Sequence, residues 1–180
     1  MFTHEFFTIF FAAAVLSTSA YAENMLISSN DLAAKAWSAQ TGIAKSAKVT
    51  KSIIPAPDGT KTAFLVDISD GYLGQKIVNA KPGNAYRFSV WLRSPDSEET
   101  IVQLIGENHI KPRWSVEDKK FIITNHWERV SIVFECSEKG NEIFSFSFRT
   151  GKFLAWHPQV EDVTGKTSPG PGKYVAGSEK

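Results

Sequence analysis

Residues 86–94, YRFSVWLRS, alternate between two kinds of side chain with a period of two. The apolar members of the segment are Tyr86, Phe88, Val90 and Leu92. The intervening members are Arg87, Ser89, Trp91 and Arg93. Because successive side chains of a strand point to opposite sides of the sheet, this pattern indicates a strand with one buried face.

The same period recurs along the chain, in segments separated by turns rich in Gly, Pro, Asn and Asp. The clearest strand candidates are WERVSIVFEC at 127–136, EIFSFSFRT at 142–150 and FLAWHPQVED at 153–162, and the shorter ones are TAFLVDI at 62–68, GQKIVNA at 74–80 and TIVQLIGE at 100–107. Helix is expected only at 30–37, where Asn30 is placed to cap a short turn with Leu32, Ala33 and Ala36 packing inward. Many short strands with one helical candidate predict an all-β chain, a sandwich or a barrel.

The first residues have the form of an export signal. An apolar run of eleven residues, 6–16, is followed by the small-x-small sequence at 20–22, AYA. The run is too short to span a bilayer as a helix and suits a signal peptide cleaved after Ala22, although no Lys or Arg precedes it. A retained anchor helix and a plain apolar N-terminus remain alternatives. We therefore expect a signal peptide at 1–22 and a secreted or periplasmic protein without a membrane span.

The remainder of the chain is long enough for one domain, which we place at 23–164. Its net charge is close to zero, since the whole chain carries only +1, so nucleic acid is not expected as a partner. The one cysteine, Cys136, has no disulfide partner in the chain and is expected to be buried. From Gly165 the sequence GKTSPGPGKYVAGSEK is rich in Gly and Pro, and it predicts a loosely held tail at 165–180.

Several short motifs occur in a fixed order over nearly all of residues 23–180. They are NMLISSND at 24–31 followed by Trp37, PDGTKTA at 57–63, LGQ at 73–75, PGNAYRFSVWLRS at 82–94, WERV at 127–130, and Trp156, Gln159 and Glu161 followed by Tyr174. This order resembles the carbohydrate-binding-module-like jelly rolls of the galactose-binding-like superfamily, of the type appended to phage tail proteins and glycoside hydrolases. The resemblance implies a two-sheet β-sandwich and a secreted, non-catalytic carbohydrate-binding domain.

Sugar binding in such a jelly roll uses one sheet face, with aromatic rings for the apolar side of the pyranose and polar groups for its hydroxyls. The candidate carbohydrate-binding residues are Trp91, Arg93, Arg149, Trp114, Arg87 and Gln103. Trp114 lies in the segment IKPRWSVEDKK, 110–120, which we expect to be irregular. Convergence of Arg93, Arg129 and Arg149 would favour an anionic polysaccharide, because guanidinium groups pair well with carboxylates.

Other interpretations of the same residues remain open. In the structural alternative, Trp91 only covers the outer face of its sheet beneath a loop. Packing roles are expected for Trp37, Trp127 and Trp156. Related modules hold a structural calcium ion, for which the available oxygen ligands are Asp31, Asp67, Asp70, Glu161 and Asp162. His109, His126 and His157 have no partner at the spacing of a metal site.

Two further function classes stay open at this point. One is a structural or adhesive cell-envelope domain that binds a protein partner. The other is a secreted lyase or cyclase. The sequence has no GxSxG motif, and the carboxylate pairs available for glycoside hydrolysis are Glu107 with Asp118 and Glu128 with Glu135. Whether the protein is an enzyme is uncertain from its sequence, and a binding role is favoured.

Overall fold

The computed structural model describes residues 23–38, 47–110, 113–137, 143–167 and 170–178, so the expected signal peptide lies outside it. A four-residue helix, α1 (Lys35–Ser38), precedes the strands. The strands are β1 (Ala47–Lys51), β2 (Phe64–Lys76), β3 (Ala85–Arg93), β4 (Thr100–Ile110), β5 (Arg113–Ile123), β6 (Glu128–Glu135) and β7 (Ile143–Asp162). The described helix is too short to cross a membrane.

Two long strands, β2 and β7, pass through both layers of the molecule. They pair first over 64–68 with 151–155 and again, after a register shift, over 72–76 with 145–149. Gly71 and Gly151 lie where the strands bend, with φ angles of 92° and 120° that residues with a side chain rarely adopt. The result is two antiparallel layers, which we call sheet one (β1-β2-β7-β3-β6) and sheet two (β2-β7-β4-β5).

The core lies between the two sheets and is rich in aromatic rings. Phe88 of β3 faces Phe146 and Phe148 of β7, with ring centroids 5.4 Å apart in both pairs. Trp37 stacks on Phe148 at 6.0 Å, which confirms its packing role, and Cys136 is buried as expected. Each of these large apolar side chains contributes roughly 1.5–3 kcal/mol by burial. The two-sheet β-sandwich predicted from the sequence is confirmed.

Three local predictions were wrong. The segment expected to be irregular around Trp114 belongs to β5, which pairs along its whole length with β4. The two short strands predicted at 62–68 and 74–80 overlap a single strand, β2, which ends at Lys76, so residues 77–80 are not in a strand. Within 30–37 only the residues from Lys35 onward are helical, and Ala33 is exposed although Leu32 is buried as expected. The Oδ1 of Asp31 accepts the backbone N–H of Ala33 at 3.0 Å.

The tail also differs from the expectation. Residues 170–178 lie across the outer face of sheet one and are hydrogen-bonded there, so this part of the tail is not loosely held. The physical reason is that polar side chains of β3, β6 and β7 pair with the tail's backbone: Arg129, for example, donates to the carbonyl oxygen of Gly172 at 2.6 Å. A segment without regular secondary structure is thereby ordered.

Candidate functional site

The six candidate carbohydrate-binding residues do not form one site. Arg87, Trp91 and Arg93 follow one another on the outer face of sheet one. Gln103 and Arg149 are cross-strand partners on the outer face of sheet two. The aromatic core separates the two faces.

Trp114 belongs to β5 of sheet two. Its Cα pairs with that of His109 on β4. The side chain of Trp114 lies outside the described residues.

The aromatic part of the sheet-one face is closed by a loop. Trp91 lies 6.5 Å from Trp156 between ring centroids, and both pack with Trp127 against small side chains of the loop at 52–63. The indole N–H of Trp127 donates to the carbonyl oxygen of Pro55, and that of Trp156 donates to Thr62 Oγ1, both at 2.9 Å. The structure therefore favours the structural interpretation of Trp91, a ring beneath a loop.

Two arginines on this face, Arg87 and Arg129, are hydrogen-bonded to the protein itself, whereas the Nε of Arg93 is buried without a partner among the described residues. Arg87 is 7% exposed and donates to the carbonyl oxygen of Gly170. Arg129 donates to Gly172 and, at 3.1 Å, to Ser89 Oγ. Burial is the main cause that lowers the pKa of Arg129. The negative charge of Glu161 raises this pKa, and the nearby positive charge of Arg87 lowers it further. The convergence of Arg93, Arg129 and Arg149 does not occur, because Arg149 lies on sheet two.

The outer face of sheet two presents a regular array of side chains. Cross-strand pairing arranges them in three rows that run across β2, β7, β4 and β5. The first row is Tyr72, Arg149, Gln103 and Lys120; the second row is Gly74, Ser147, Ile105 and Asp118; the third row is Lys76, Ser145, Glu107 and Val116.

The middle row begins with small residues and forms a depression between the other two. Gly74 has no side chain, and β2 approaches β7 so closely that a Cβ on Gly74 would lie 2.5 Å from Ser147 Cβ. Ser147 and Ile105 are buried at 2% and 1% exposure. The hydroxyl of Ser147 has no hydrogen-bond partner among the described residues. A buried polar group in that state costs about 1–3 kcal/mol of folding free energy.

The first and third rows combine an aromatic ring with charges of both signs. Burial raises the pKa of Tyr72; the charge of Glu107 raises it further and that of Arg149 lowers it. Tyr72 is therefore a neutral phenol at physiological pH with a carboxylate and a guanidinium close by. On the neighbouring strands Gln103 donates to Asp118 Oδ2. The face offers one ring and several planar hydrogen-bonding groups, with nearly balanced charge.

A pocket of about 270 Å³ lies elsewhere, between the loops at 29–32 and 58–62 and the β7 residues Trp156 and His157. Its polar groups largely serve each other. Asp58 Oδ1 accepts both the backbone N–H and the hydroxyl of Thr60, at 3.0 and 2.7 Å. These hydrogen bonds order the turn at 58–60. The pocket is therefore a weaker candidate for a ligand site than the outer face of sheet two.

The expected carboxylate pairs are also placed by the strands. Glu128 and Glu135 lie at opposite ends of β6, seven residues apart, or about 23 Å at 3.3 Å per residue, so they cannot flank one glycosidic bond. Glu107 and Asp118 share the outer face of sheet two on neighbouring strands. The amide of Gln103 is hydrogen-bonded to Asp118.

One of the oxygen ligands expected for calcium, Asp70, has a side chain that lies outside the described residues. Among the described residues no three or more His, Cys, Asp or Glu side chains are grouped as a metal site. Glu161 accepts the backbone N–H of Gly172 at 3.1 Å, and Asp162 accepts that of Thr164 at 2.9 Å. Both carboxylates are therefore hydrogen-bonded within the fold, and a structural calcium ion stays a prediction.

Sequence reasoning missed Tyr72 and considered Glu107 only as a catalytic acid. The signal for Tyr72 was present in the sequence DGYLGQK, where Tyr72, Gly74 and Lys76 alternate with Leu73 and Gln75. The register shift in β2 concealed it, because the strand was divided into two candidates on either side of the bend. Gln75, by contrast, serves the fold, since its side chain bonds the backbone N–H and carbonyl of Ile27.

Comparison with known proteins gives the fold. No family model and no curated protein matches the sequence. Three similar solved structures are carbohydrate-binding modules. The CBM22-1 xylan-binding domain of Paenibacillus barcinonensis Xyn10C is 9% identical with a TM-score of 0.63, over 81% of this chain and 97% of that one.

The C-terminal family 22 carbohydrate-binding module of Clostridium thermocellum Xyn10B is 14% identical with a TM-score of 0.55, over 83% of this chain and 95% of that one. A family 16 carbohydrate-binding module is 18% identical with a TM-score of 0.50, over 73% and 100%. The predicted resemblance in fold, a carbohydrate-binding-module-like jelly roll, is confirmed.

Proposed function

We propose, from this shared fold, that the domain binds a carbohydrate chain without cleaving it, on the outer face of sheet two. The observation that carries the proposal is the row formed by Tyr72, Arg149 and Gln103 on three adjacent strands. A pyranose ring packs its C–H surface on the phenol ring of Tyr72. The guanidinium of Arg149 and the amide of Gln103 hydrogen-bond its hydroxyls in their own planes.

The size of the face suits an extended glycan. Four strands at about 4.8 Å spacing give a width of about 14 Å, and three rows at about 6.6 Å give a similar length. The depression at Gly74 and Ser147 lies between the polar rows, so a chain seated there has hydrogen-bonding groups on both sides. Fold alone does not assign a ligand, and the assignment rests on these residues.

Charge favours a neutral glycan over an anionic one. The rows contain Arg149, Lys76 and Lys120 against Glu107 and Asp118, a nearly balanced set. The arginine cluster that suggested a uronic-acid chain is absent. We therefore infer a neutral or weakly charged polysaccharide. Secretion to the periplasm or cell exterior remains part of the proposal and rests on the signal-like sequence at residues 6–22.

The test is affinity gel electrophoresis of residues 23–180 through soluble xylan, mixed-linkage β-glucan and polygalacturonate. Retardation by at least one neutral polysaccharide is expected. Tyr72→Ala combined with Arg149→Ala should weaken binding at least tenfold, whereas Arg93→Ala, on the opposite face, is the matched control and should retain it. No retardation on any of the three, or loss with Arg93→Ala alone, contradicts the proposal. New unsaturated or reducing ends in the incubated polysaccharide would favour an enzyme instead.

A further inference from the structure

The tail segment, residues 170–178, is bound to sheet one and to the segment at 24–29 almost entirely through its main chain. Four of its carbonyl oxygens accept hydrogen bonds from side chains: Gly170 from Arg87, Gly172 from Arg129, Lys173 from Gln159 and Val175 from Asn24. Three of its N–H groups donate to side chains: Gly172 to Glu161, Val175 to Gln159 and Gly177 to Ser29. The carbonyl of Ser178 accepts the N–H of Ser28 at 2.9 Å.

We call the surface that makes these bonds the tail groove: Asn24, Ser29, Arg87, Arg129, Gln159 and Glu161. Its groups are fixed by the fold. Asn24 Oδ1, for example, accepts the backbone N–H groups of Leu26 and Val160 at 3.1 and 3.0 Å while its Nδ2 donates to the tail. Grooves that bind peptides pair with alternate backbone groups of an extended segment, and this pairing does not depend on most of the peptide's side chains.

One tail side chain, that of Tyr174, makes specific contacts. The ring of Tyr174 stacks on His157 with centroids 3.6 Å apart and planes 9° apart, and its hydroxyl lies 2.8 Å from Ser29 Oγ. His157 in turn stacks on Trp156 at 3.5 Å. An aromatic ring with a hydrogen-bonded hydroxyl end is a typical anchor of a peptide interface.

One glycine of the tail is required by close approach to the groove. A Cβ on Gly172 would lie 2.5 Å from Glu161 Oε1, which is the end of a flexible side chain and can move aside. A Cβ on Gly177 would overlap the carbonyl oxygen of Leu26. Gly170 by contrast has open space around it. The groove therefore selects an extended segment of the form Tyr-x-x-Gly, which the chain carries at 174–177.

We propose that the tail groove is a peptide-binding site whose partner is residues 170–178 of a second copy of this chain, so that copies associate by exchanging their tails. Every contact made within one chain is available in the same form between two chains, which makes exchange a low-cost route to a dimer. Within one chain the tail is present at an effective concentration of the order of millimolar, so the intramolecular state dominates in dilute solution. The site is independent of the sheet-two face.

The first test uses the labelled peptide GPGKYVAGSEK, residues 170–180, and fluorescence anisotropy. The receptor is the 23–180 chain with Gly177→Val, whose own tail cannot dock. We expect saturable binding at least tenfold tighter than to the wild-type chain, where the intramolecular tail competes. The control peptides carry Tyr174→Ala or Gly177→Val and should bind at least tenfold more weakly. Absence of saturable binding to a folded receptor, or equal binding of the control peptides, overturns the proposal.

The second test does not depend on that variant. Deleting residues 166–168 shortens the connection to the tail by up to about 10 Å and disfavours docking within one chain. Light scattering at 100 μM protein, roughly the regime where exchange competes with intramolecular docking, should then give twice the monomer mass, and excess peptide should restore the monomer. A deletion protein that stays monomeric without peptide overturns the proposal.

Discussion

Arg149 of β7 lies directly opposite Gln103 of β4. Five residues later the same strand has passed into the other layer, where Leu154 lies opposite Arg93. The bend at Gly151 thus places Arg149 and Arg93 on opposite faces of the sandwich. This separation places the proposed glycan-binding residues on one face, while the loop at 52–63 and the tail cover the other.

Trp91→Ala is expected to reduce stability and leave glycan binding intact. Trp91 is half-buried against Trp156, so its truncation should cost about 2 kcal/mol, below the 3–5 kcal/mol of a fully buried ring. Thermal and urea denaturation measure the loss, and gel retardation measures binding. An unchanged melting temperature with abolished retardation would return Trp91 to the ligand site. Arg149→Ala, at an exposed position, should show the reverse pattern.

Gly74→Ala is expected to destabilise the domain by about 1–3 kcal/mol, the usual cost of forcing an extra methyl group into a packed site. The new Cβ would meet Ser147 Cβ at 2.5 Å and the carbonyl oxygen of Phe146 at 2.6 Å, and backbone cannot yield as a side-chain end can. Gly170→Ala is the matched control, since nothing lies within 4 Å of its Cβ position. Equal urea midpoints for the two variants would rule out the close approach of β2 and β7.

Stability should fall as the pH is lowered from 6.5 to about 4. Burial is the main cause that lowers the pKa of His157 to about 4, with Asp58 opposing and Arg129 assisting. In this window the unfolded chain binds a proton at His157 that the folded chain does not, so protonation favours unfolding. The loss is of the order of 2 kcal/mol. His157→Asn, which tolerates the positive φ of 49°, should be less stable at pH 7 but should lose this contribution to the pH dependence.

Urea denaturation at pH 7 and 4.5 measures the difference. His126→Asn, at an exposed position, is the control and should behave as the wild-type chain does. A His157→Asn chain that keeps the full wild-type loss between these pH values would show that other groups cause it.

Cys136 should react with a thiol reagent only after unfolding. Its side chain is 1% exposed, and its backbone is paired with Asn84 and Gly83. The absorbance produced by reaction of the thiol is followed at increasing urea concentrations. Its increase should coincide with the unfolding transition. Rapid reaction of the native protein would contradict the burial of Cys136 in the core.

The alternation of side chains was sufficient to predict the strands and the sandwich. Period two in residues 86–94 and 142–150 reflects one buried face, which each strand carries in its own sequence. The three core phenylalanines Phe144, Phe146 and Phe148 were placed correctly for that reason. A local pattern contains this information because burial of alternate residues does not depend on which strand lies alongside.

The site depended on information that no local pattern carries. Which strand faces share a surface is decided by the bends in β2 and β7, at Gly71 and Gly151, and by long-range pairing. Sequence reasoning therefore grouped Arg93 with Arg149 and missed Tyr72. It also interpreted the tail from its composition, and only the three-dimensional placement of Arg87 and Arg129 supplies the partners that order it.

The most direct test of glycan binding is the mapping of backbone amide chemical shifts of residues 23–180 by NMR. A xylan hexasaccharide and a mixed-linkage β-glucan hexasaccharide are titrated separately. We predict saturable shifts confined to 72–76, 103–107, 116–120 and 145–149, the four strand segments of the sheet-two face. Shifts centred instead on 87–93, or none with either oligosaccharide, would contradict the proposal that this face binds a neutral glycan.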